Sequence, residues 1–338
     1  MDSNDKPSVA TVVVSWNSAR DIVTCLDSLI RQSHPIKQII VVDNASTDGT
    51  PDLVADQFPA VKLIHRSTNE GFAKGNNIGI SVAESEWILT LNPDARLAEN
   101  FLTRLIEFAA SHPRVGSMTG KLLREKQFIQ GEPVIDSTGI EIYGSRRVKD
   151  RDAGRIDDGT RNNAERVFGA CAAAALYRRE MLRDISPDGE VFPESFFSYY
   201  EDADLAWRAW RRNWEAWYVP EAVCWHRRGG APVGSRFSRY LTHRNRLWLI
   251  ARNEPLYRVL KYPASLICHE LLLLLRMLRY PYLFKATLEA LIGLPTAIHY
   301  RKLLTDVTDE VLPVKSGSGF SVDEISETFI RKNKRFCK

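Results

Sequence analysis

The 338-residue sequence predicts an α/β fold, with a mainly parallel sheet flanked by helices and a basic helical region after it. Three observations carry this reading. From residue 9 to about 123, short β-branched runs alternate with segments of helical apolar spacing, the pattern of βαβ units. The runs are continuous rather than alternating, as expected of strands covered on both faces. Beyond about residue 231, Arg, Leu and Tyr dominate and strand signals vanish.

The elements follow in order. "VATVVVSW" (9–16) reads as a buried strand. Ser18 then stands as a helix cap, with Asp21 at the capping-box position and an apolar stripe of Ile22, Val23, Leu26, Leu29 and Ile30. "QIIVVD" (38–43) is a second strand, and the turn cluster "NASTDGTP" launches the next helix. "VKLIHR", the helix "GFAKGNNIGISVAES" and the strand "WILTL" continue the alternation, closed by the helix "NFLTRLIEFAASH" and the strand "VGSMTGKLL". Charged, Gly-containing sequence from about 124 to 166 predicts short strands and a mobile loop. "VFGACAAAALYRR" reads as a close-packed strand, "FPESFFSYYEDADLAWRAWRRNW" as an aromatic loop running into a helix, and "AWYVPEAVCWH" as a last strand. The expected organisation is a catalytic domain over 1–230, in halves of about 8–123 and 124–230, followed by the amphipathic region 231–338.

Composition narrows the class. Residues 1–230 carry 28 Lys and Arg against 33 Asp and Glu, whereas 231–338 carry 18 against 9, so the C-terminal region should face something anionic. Its cations interleave with Trp248, Tyr257, Tyr262, Tyr280, Tyr282, Phe284 and Tyr300, which suits an interface with anionic lipid. The alternative is helices packed on the first domain with arginines as their solvated face. No nucleic-acid-binding motif accompanies the charge. Five scattered cysteines without a CxxC pair exclude a disulfide framework or zinc cluster and point to a reducing compartment. The N-terminus has no apolar signal segment. The most apolar stretch, "ASLICHELLLLLRML", is too short and too charged for a membrane span. The expected location is cytoplasmic, peripheral to the membrane.

Ligands of such sheets bind outside the carboxyl ends of the strands, here at Ser15-Trp16-Asn17, Asp43-Asn44 and Asn92-Pro93-Asp94. No GxGxxG follows the first strand and no Walker A loop occurs, so a bound phosphate needs a charge partner other than a glycine-rich nest. A divalent cation on an acid at a strand end is the substitute. Pro93 stops strand pairing and holds Asp94 just past the edge; a plain turn acid at a helix start is the competing reading. Asp43 could equally begin an Asx-turn. Glu201, Asp202 and Asp204 crowd one helix start. An i,i+4 pair with Arg208 explains Asp204, while adjacent carboxylates under aromatic cover suit Glu201 and Asp202 to general-base work. His226 ends a strand beside Arg227 and Arg228, as a structural histidine or as a metal or diphosphate contact.

Taken in order, "VVVSWNSARDIVTCLDSL", "IIVVDNASTDGT", "NEGFAKGNNIG", "WILTLNPDARL", "YYEDADLAWRAWRRNW", "VCWHRRGGAPVG" and "RNRLWLIARN" resemble the family 2 inverting glycosyltransferases of the GT-A fold, over roughly residues 8–255. Within the family the likeness is to the bacterial rhamnosyltransferase branch. The resemblance implies a nucleotide-sugar donor, with Ser15, Trp16, Asn17, Asp43, Asn44, Gly71, Phe72, Asn76 and Asn92 along the nucleotide. It implies Mg²⁺ or Mn²⁺ with Asp94 as the chief ligand, Asn92 replacing the first acid of the family's Asp-x-Asp element, and His226 stands beside it as the nominated metal or diphosphate contact. Asp202 is implied as the base, with Glu201 positioning a substrate. The implied reaction moves L-rhamnose from dTDP-rhamnose to a glycan or polyprenyl-diphosphate-linked acceptor in cell-surface polysaccharide synthesis. UDP-galactofuranose or a UDP-hexose is the alternative donor, and a non-catalytic carbohydrate-binding module the alternative class.

Overall fold

A computed structural model of the chain describes residues 6–228, 234–254, 263–304 and 312–315. The first part alternates as β1 (Val9–Ser15), α1 (Ile22–Ile30), β2 (Ile36–Asp43), α2 (Thr50–Gln57), β3 (Lys62–His65), α3 (Gly71–Val82) and β4 (Trp87–Leu91). Then come β5 (Ala95–Leu97), α4 (Phe101–Ala110), the long β6 (Val115–Ile129), β7 (Glu132–Ser137), β8 (Ile140–Tyr143), β9 (Val148–Asp150) and β10 (Glu165–Val167). β11 (Ala174–Arg178), α5 (Arg179–Asp184), α6 (Glu201–Arg211) and β12 (Glu215–His226) lead to the helices α7 (Arg236–Asn253), α8 (Pro263–Arg279) and α9 (Tyr282–Leu303), and to β13 (Val314–Lys315).

The main sheet has the order β10-β12-β6-β11-β4-β1-β2-β3, with β5 on β12 and β7 on β6. β4, β1, β2 and β3 are parallel, as the alternating sequence predicts. β11 inserts antiparallel between β4 and β6, and β6 pairs parallel with β12. Every residue of β1 is buried because helices cover both faces. Val9 and Val13 join Ile22, Leu26, Phe101 and Leu105 of α1 and α4. Ala10, Val12 and Val14 join Ala73 and Ile80 of α3. α3 lies unusually close to the sheet: a Cβ on Gly79 would stand 2.3 Å from Val12 Cγ1, and one on Gly75 2.7 Å from Val14 Cγ1.

Three local expectations are corrected. The Ser18 hydroxyl does not cap α1; its carbonyl accepts from Asp21 and Ile22 N–H, while its hydroxyl turns to the Trp16 carbonyl and Asp21 pairs with Arg227. Of "VFGACAAAALYRR", Val167 ends β10 and 174–178 forms β11, the residues between them running as a buried loop. Strand structure also does not end at 231, since Val314 and Lys315 pair with Ile142 and Tyr143.

The arginines after 231 are not simply a solvated face. Arg252 of α7 is buried and binds Asp204 of α6 (Nε–Oδ1 3.0 Å), Arg211 of α6 donates to the Leu304 carbonyl (2.6 Å), and Trp248 Nε1 donates to Ala290 of α9 (2.9 Å). α7 and α9 are thereby fixed to the base of α6. α8 exposes Leu271, Leu274, Leu275 and Leu278, and α9 exposes Phe284, Leu288, Leu291 and Ile292. Among the residues described, no helix is long and apolar enough to cross a membrane. Tyr257 and Tyr262 of the predicted aromatic set lie outside the described residues.

Candidate active site

The carboxyl ends of β1 and β4 open into a cleft of about 1640 Å³, whose other walls come from the chain around α6, the end of β12 and the C-terminal helices. At one wall, Asn92 N–H donates to Ala173 and Ala95 N–H closes a turn on Asn92, so Asp94 is presented past the strand. β5 then pairs with β12 in a register that sets Ala95 opposite His226. That register brings Asp94 Oδ1 to 3.1 Å from His226 Nε2, with Asn92 Nδ2 at 3.4 Å. The sequence-nominated pair is therefore adjacent, although 132 residues separate it.

Behind His226 the chain builds a row of alternating charge. His226 Nδ1 lies 2.8 Å from Asp136 Oδ2, Arg228 Nε donates to the other Asp136 oxygen, and Arg228 Nη2 donates to Asp150 Oδ2 at 2.7 Å. Burial alone would depress the His226 pKa, but the hydrogen bonds to Asp136 and Asp94 outweigh it and raise the value to about 9. His226 is thus an imidazolium at neutral pH, and a cation bound at Nε2 would take the place of that proton. Burial pushes the Asp136 carboxyl up, yet His226 and Arg228 hold it below the ordinary range. Sequence reasoning missed Asp136 and Asp150. The signal was an acid inside the apolar run "PVIDS", where an inward charge needs a partner.

The opposite wall carries the base candidates. Asp202, at the start of α6, accepts from Ala203 N–H (2.8 Å). Burial first, then the Asp150 charge, raise its pKa to about 7 against the pull of backbone N–H groups. Glu201 is buried, its Oε2 has no hydrogen-bond partner, and burial plus the charge of Asp202 hold it protonated well above the usual carboxylate range. Of the two, Asp202 is the one that ionises near neutrality. Asp204 differs. Burial raises its pKa, but Arg252 and Arg208 bring it down to about 2, and with Asn253 they occupy both its oxygens. It is a structural acid, as the i,i+4 reading predicts.

The loop before α6 is held in an unusual shape. Phe197, Tyr199 and Tyr200 have φ of 66°, 68° and 72°. Buried Asn245 of α7 shares its Nδ2 among the carbonyls of Phe196 (2.9 Å), Ser198 (2.9 Å) and Tyr199 (2.8 Å). Gly71, at φ +87°, meets this loop edge-on; a Cβ there would lie 2.6 Å from Phe197.

The remaining nominated residues divide in two. Trp16, 56% exposed, Asn17, Asn44, Gly71, Phe72 and Asn92 line the cleft. Ser15, Asp43 and Asn76 do not. The Asp43 carboxylate is buried, accepting from Ser15 Oγ (2.9 Å), Ser46 Oγ (2.6 Å) and Ser46 N–H (3.0 Å), so it shapes the turn beneath the cleft floor. Asn76 donates to the Phe72 carbonyl inside α3 (2.9 Å). Asp94 and Asp202 thus line one cleft, and the Asp43 carboxylate lies among Ser15 and Ser46 beside it.

Among the residues described, no group of three or more His, Cys, Asp and Glu converges to hold a metal ion. Asp94 and His226, 3.1 Å apart at the cleft wall, are the residues whose donor atoms would serve a Mg²⁺ or Mn²⁺.

Residues 11–186, more than half of the chain, match the family model described as glycosyl transferase family 2. The chain belongs to this family. Curated relatives include the poly-beta-1,6-N-acetyl-D-glucosamine synthase of Staphylococcus epidermidis, 24% identical over 64% of this chain and 49% of that protein. The succinoglycan biosynthesis protein ExoO of Rhizobium meliloti is 35% identical over 35% of this chain and 36% of its own. The N-acetylglucosaminyl-diphospho-decaprenol L-rhamnosyltransferase of Mycobacterium tuberculosis is 25% identical over 64% of this chain and 74% of its own. The match thus spans about half the length of the first relative and about a third of the second. Among solved structures, GalNAc-T7 with UDP, GalNAc and Mn²⁺ aligns with TM-score 0.59 at 14% identity, over 79% of this chain and 51% of that one. S. aureus TarS 1–349 in complex with UDP-GlcNAc aligns at 0.53 and 18%, over 87% and 83%. These likenesses establish the fold of this family 2 chain as GT-A.

Proposed function

We propose that this protein is an inverting glycosyltransferase acting in cell-surface polysaccharide synthesis. It moves a sugar from a nucleoside diphosphate donor to a hydroxyl of a glycan or lipid-linked acceptor. One observation carries the reading: a charge-binding pair, Asp94 with His226, and a carboxyl poised near neutrality, Asp202, line the same cleft. Trp16 offers an exposed ring to a nucleobase. Asp94 and His226 would hold Mg²⁺ or Mn²⁺, which when bound supplies neutralising charge to the donor diphosphate.

The chain's own residues do the rest. Asp202, ionised, accepts the proton of the acceptor hydroxyl as that oxygen attacks the anomeric carbon, and a single displacement inverts configuration. Asp150 keeps the carboxylate basic enough to accept the proton, and Arg228 holds Asp150 in place. Glu201, protonated, can donate a hydrogen bond to a substrate oxygen. The aromatic loop of Phe197, Tyr199 and Tyr200 keeps water from the base.

L-Rhamnose, carried as dTDP-rhamnose, is the first donor to test, since the mycobacterial relative is an L-rhamnosyltransferase; UDP-galactofuranose and UDP-hexoses complete the panel. The exposed leucines of α8 and the surrounding arginines support a peripheral position on the cytoplasmic membrane face. The deciding experiment is a transfer and hydrolysis panel of nucleotide sugars with and without Mn²⁺ or Mg²⁺, wild type against Asp202→Asn. Turnover of no donor, or full activity in the variant, would overturn the mechanism.

A further inference from the structure

The cleft does not end at the base. It continues along α7 and α8, where Arg239, His243, Arg246 and Arg276 line it together with Leu273 and Tyr280. On α7 the first three stand at i, i+4 and i+7, one face of a helix. Two of them are buried with unmet hydrogen-bonding capacity. Arg246, 2% exposed, donates Nε to the Ser145 carbonyl (2.8 Å) and Nη2 to Glu270 Oε1 (2.9 Å), and its Nη1 has no partner. His243, 7% exposed, uses Nε2 on Thr287 Oγ1 (2.7 Å), and its Nδ1 has none. Buried polar nitrogens without partners are rare, and here two lie side by side at the wall of a large cleft. The local field is positive: burial, then Arg246 and Arg276, push the His243 pKa down to about 4.

We propose that this end of the cleft is an anion subsite, separate from the Asp94–His226 wall, that holds the phosphate or diphosphate of an amphiphilic acceptor through Arg246 and His243, with Arg239 and Arg276 around it. The second half of the acceptor's chemistry follows from α8. That helix turns His269, Leu273 and Arg276 to the cleft and exposes Leu271, Leu274, Leu275 and Leu278 elsewhere on its surface. A hydrocarbon chain attached to the bound phosphate therefore has an apolar helix to leave along. The site is also tied to the base. Asn245, beside Arg246 in sequence, holds the loop that leads into Glu201 and Asp202. A phosphate fixed at Arg246 sets the attached sugar's hydroxyl at a defined reach from Asp202.

This inference rests on the transferase reading but is tested by binding. The full chain, in EDTA so that no divalent cation bridges a diphosphate to Asp94, is titrated calorimetrically with farnesyl diphosphate, with inorganic pyrophosphate and with phosphatidylglycerol vesicles. Wild type is compared with Asp94→Asn, Arg246→Gln and Arg276→Gln, with circular dichroism verifying each fold. Arg276 is half-buried on a different helix, so its variant keeps the test open if Arg246→Gln does not fold. Farnesyl diphosphate should bind wild type and Asp94→Asn alike and bind the two arginine variants about tenfold or more weakly, the loss of a hydrogen bond to a charged group. Pyrophosphate should bind more weakly than farnesyl diphosphate, and vesicle binding should not depend on Arg246. Wild-type affinity in both folded arginine variants overturns the subsite. Loss of vesicle binding in Arg246→Gln with farnesyl diphosphate unaffected overturns it too, assigning the cations to bilayer headgroups. Arg246-dependent binding in a chain that transfers no sugar would instead sink the transferase reading and leave the subsite standing.

Discussion

Replacing Asp202 with Asn should slow transfer and stabilise the fold at once, because the same burial that makes the carboxylate a base makes its charge costly. The folded pKa is about 7 against an ordinary 3.8. A carboxyl raised in this way contributes stability that is fully present below pH 4 and is lost as pH rises through 7. Above pH 7 the ionised side chain costs at most about 4 kcal/mol. The amide carries no such cost. Differential scanning fluorimetry should therefore find equal melting temperatures near pH 4 and a gap of roughly 5 °C in favour of the variant at pH 8. Transfer, followed as nucleoside diphosphate release, should fall by about 10²–10⁴-fold in the variant at pH 8. In wild type the rate should drop about tenfold per pH unit below 7 as the base is protonated. A variant that is fully active, or no more stable than wild type at pH 8, would refute the assignment.

Asp136→Asn removes the carboxylate shared by buried His226 and half-buried Arg228, which keep Asp94 and Asp150 as partners, and should cost about 1–3 kcal/mol, read as a lower urea midpoint. Gly71→Ala forces a Cβ against Phe197 in a left-handed backbone position; it should lower the transfer rate by displacing the base loop, with far-UV circular dichroism unchanged. Dialysis against EDTA should abolish transfer and Mn²⁺ restore it, with Asp94→Asn needing at least tenfold more Mn²⁺ for half-maximal rate. Trp16→Ala should raise the donor KM by about tenfold or more through lost stacking and leave kcat nearly unchanged.

The parallel half of the sheet is legible because β1 and β2 are uninterrupted β-branched runs, and because Pro93 marks where β4 must stop. Asp94, Asp202 and His226 stand out for the same reason, as acids and a histidine at element ends. Asp136 and Asp150 do not. Their segment has no single period, and only the β6–β7 pairing and the end of β12 bring them to His226 and Arg228. Asp43 reads as a ligand contact because a strand-end acid is ambiguous. That its carboxylate also accepts from the Ser15 and Ser46 hydroxyls is set by the β1–β2 register and the turn after β2. The helices after 231 are legible as helices, but that Asn245 and Arg252 turn inward to α6 and its loop depends on three-dimensional packing.

The Asn245 anchor has a practical consequence for anyone trimming this enzyme. Three non-glycine residues in a left-handed backbone cost about 1–3 kcal/mol each, and the Asn245 amide holds three carbonyls of that segment. A version ending after Arg228 would keep its sheet and its Trp16 shelf, yet the segment feeding α6 would relax and Asp202 would swing out of register. Minimal versions and chimaeras should therefore carry α7 along, as a template rather than an appendage.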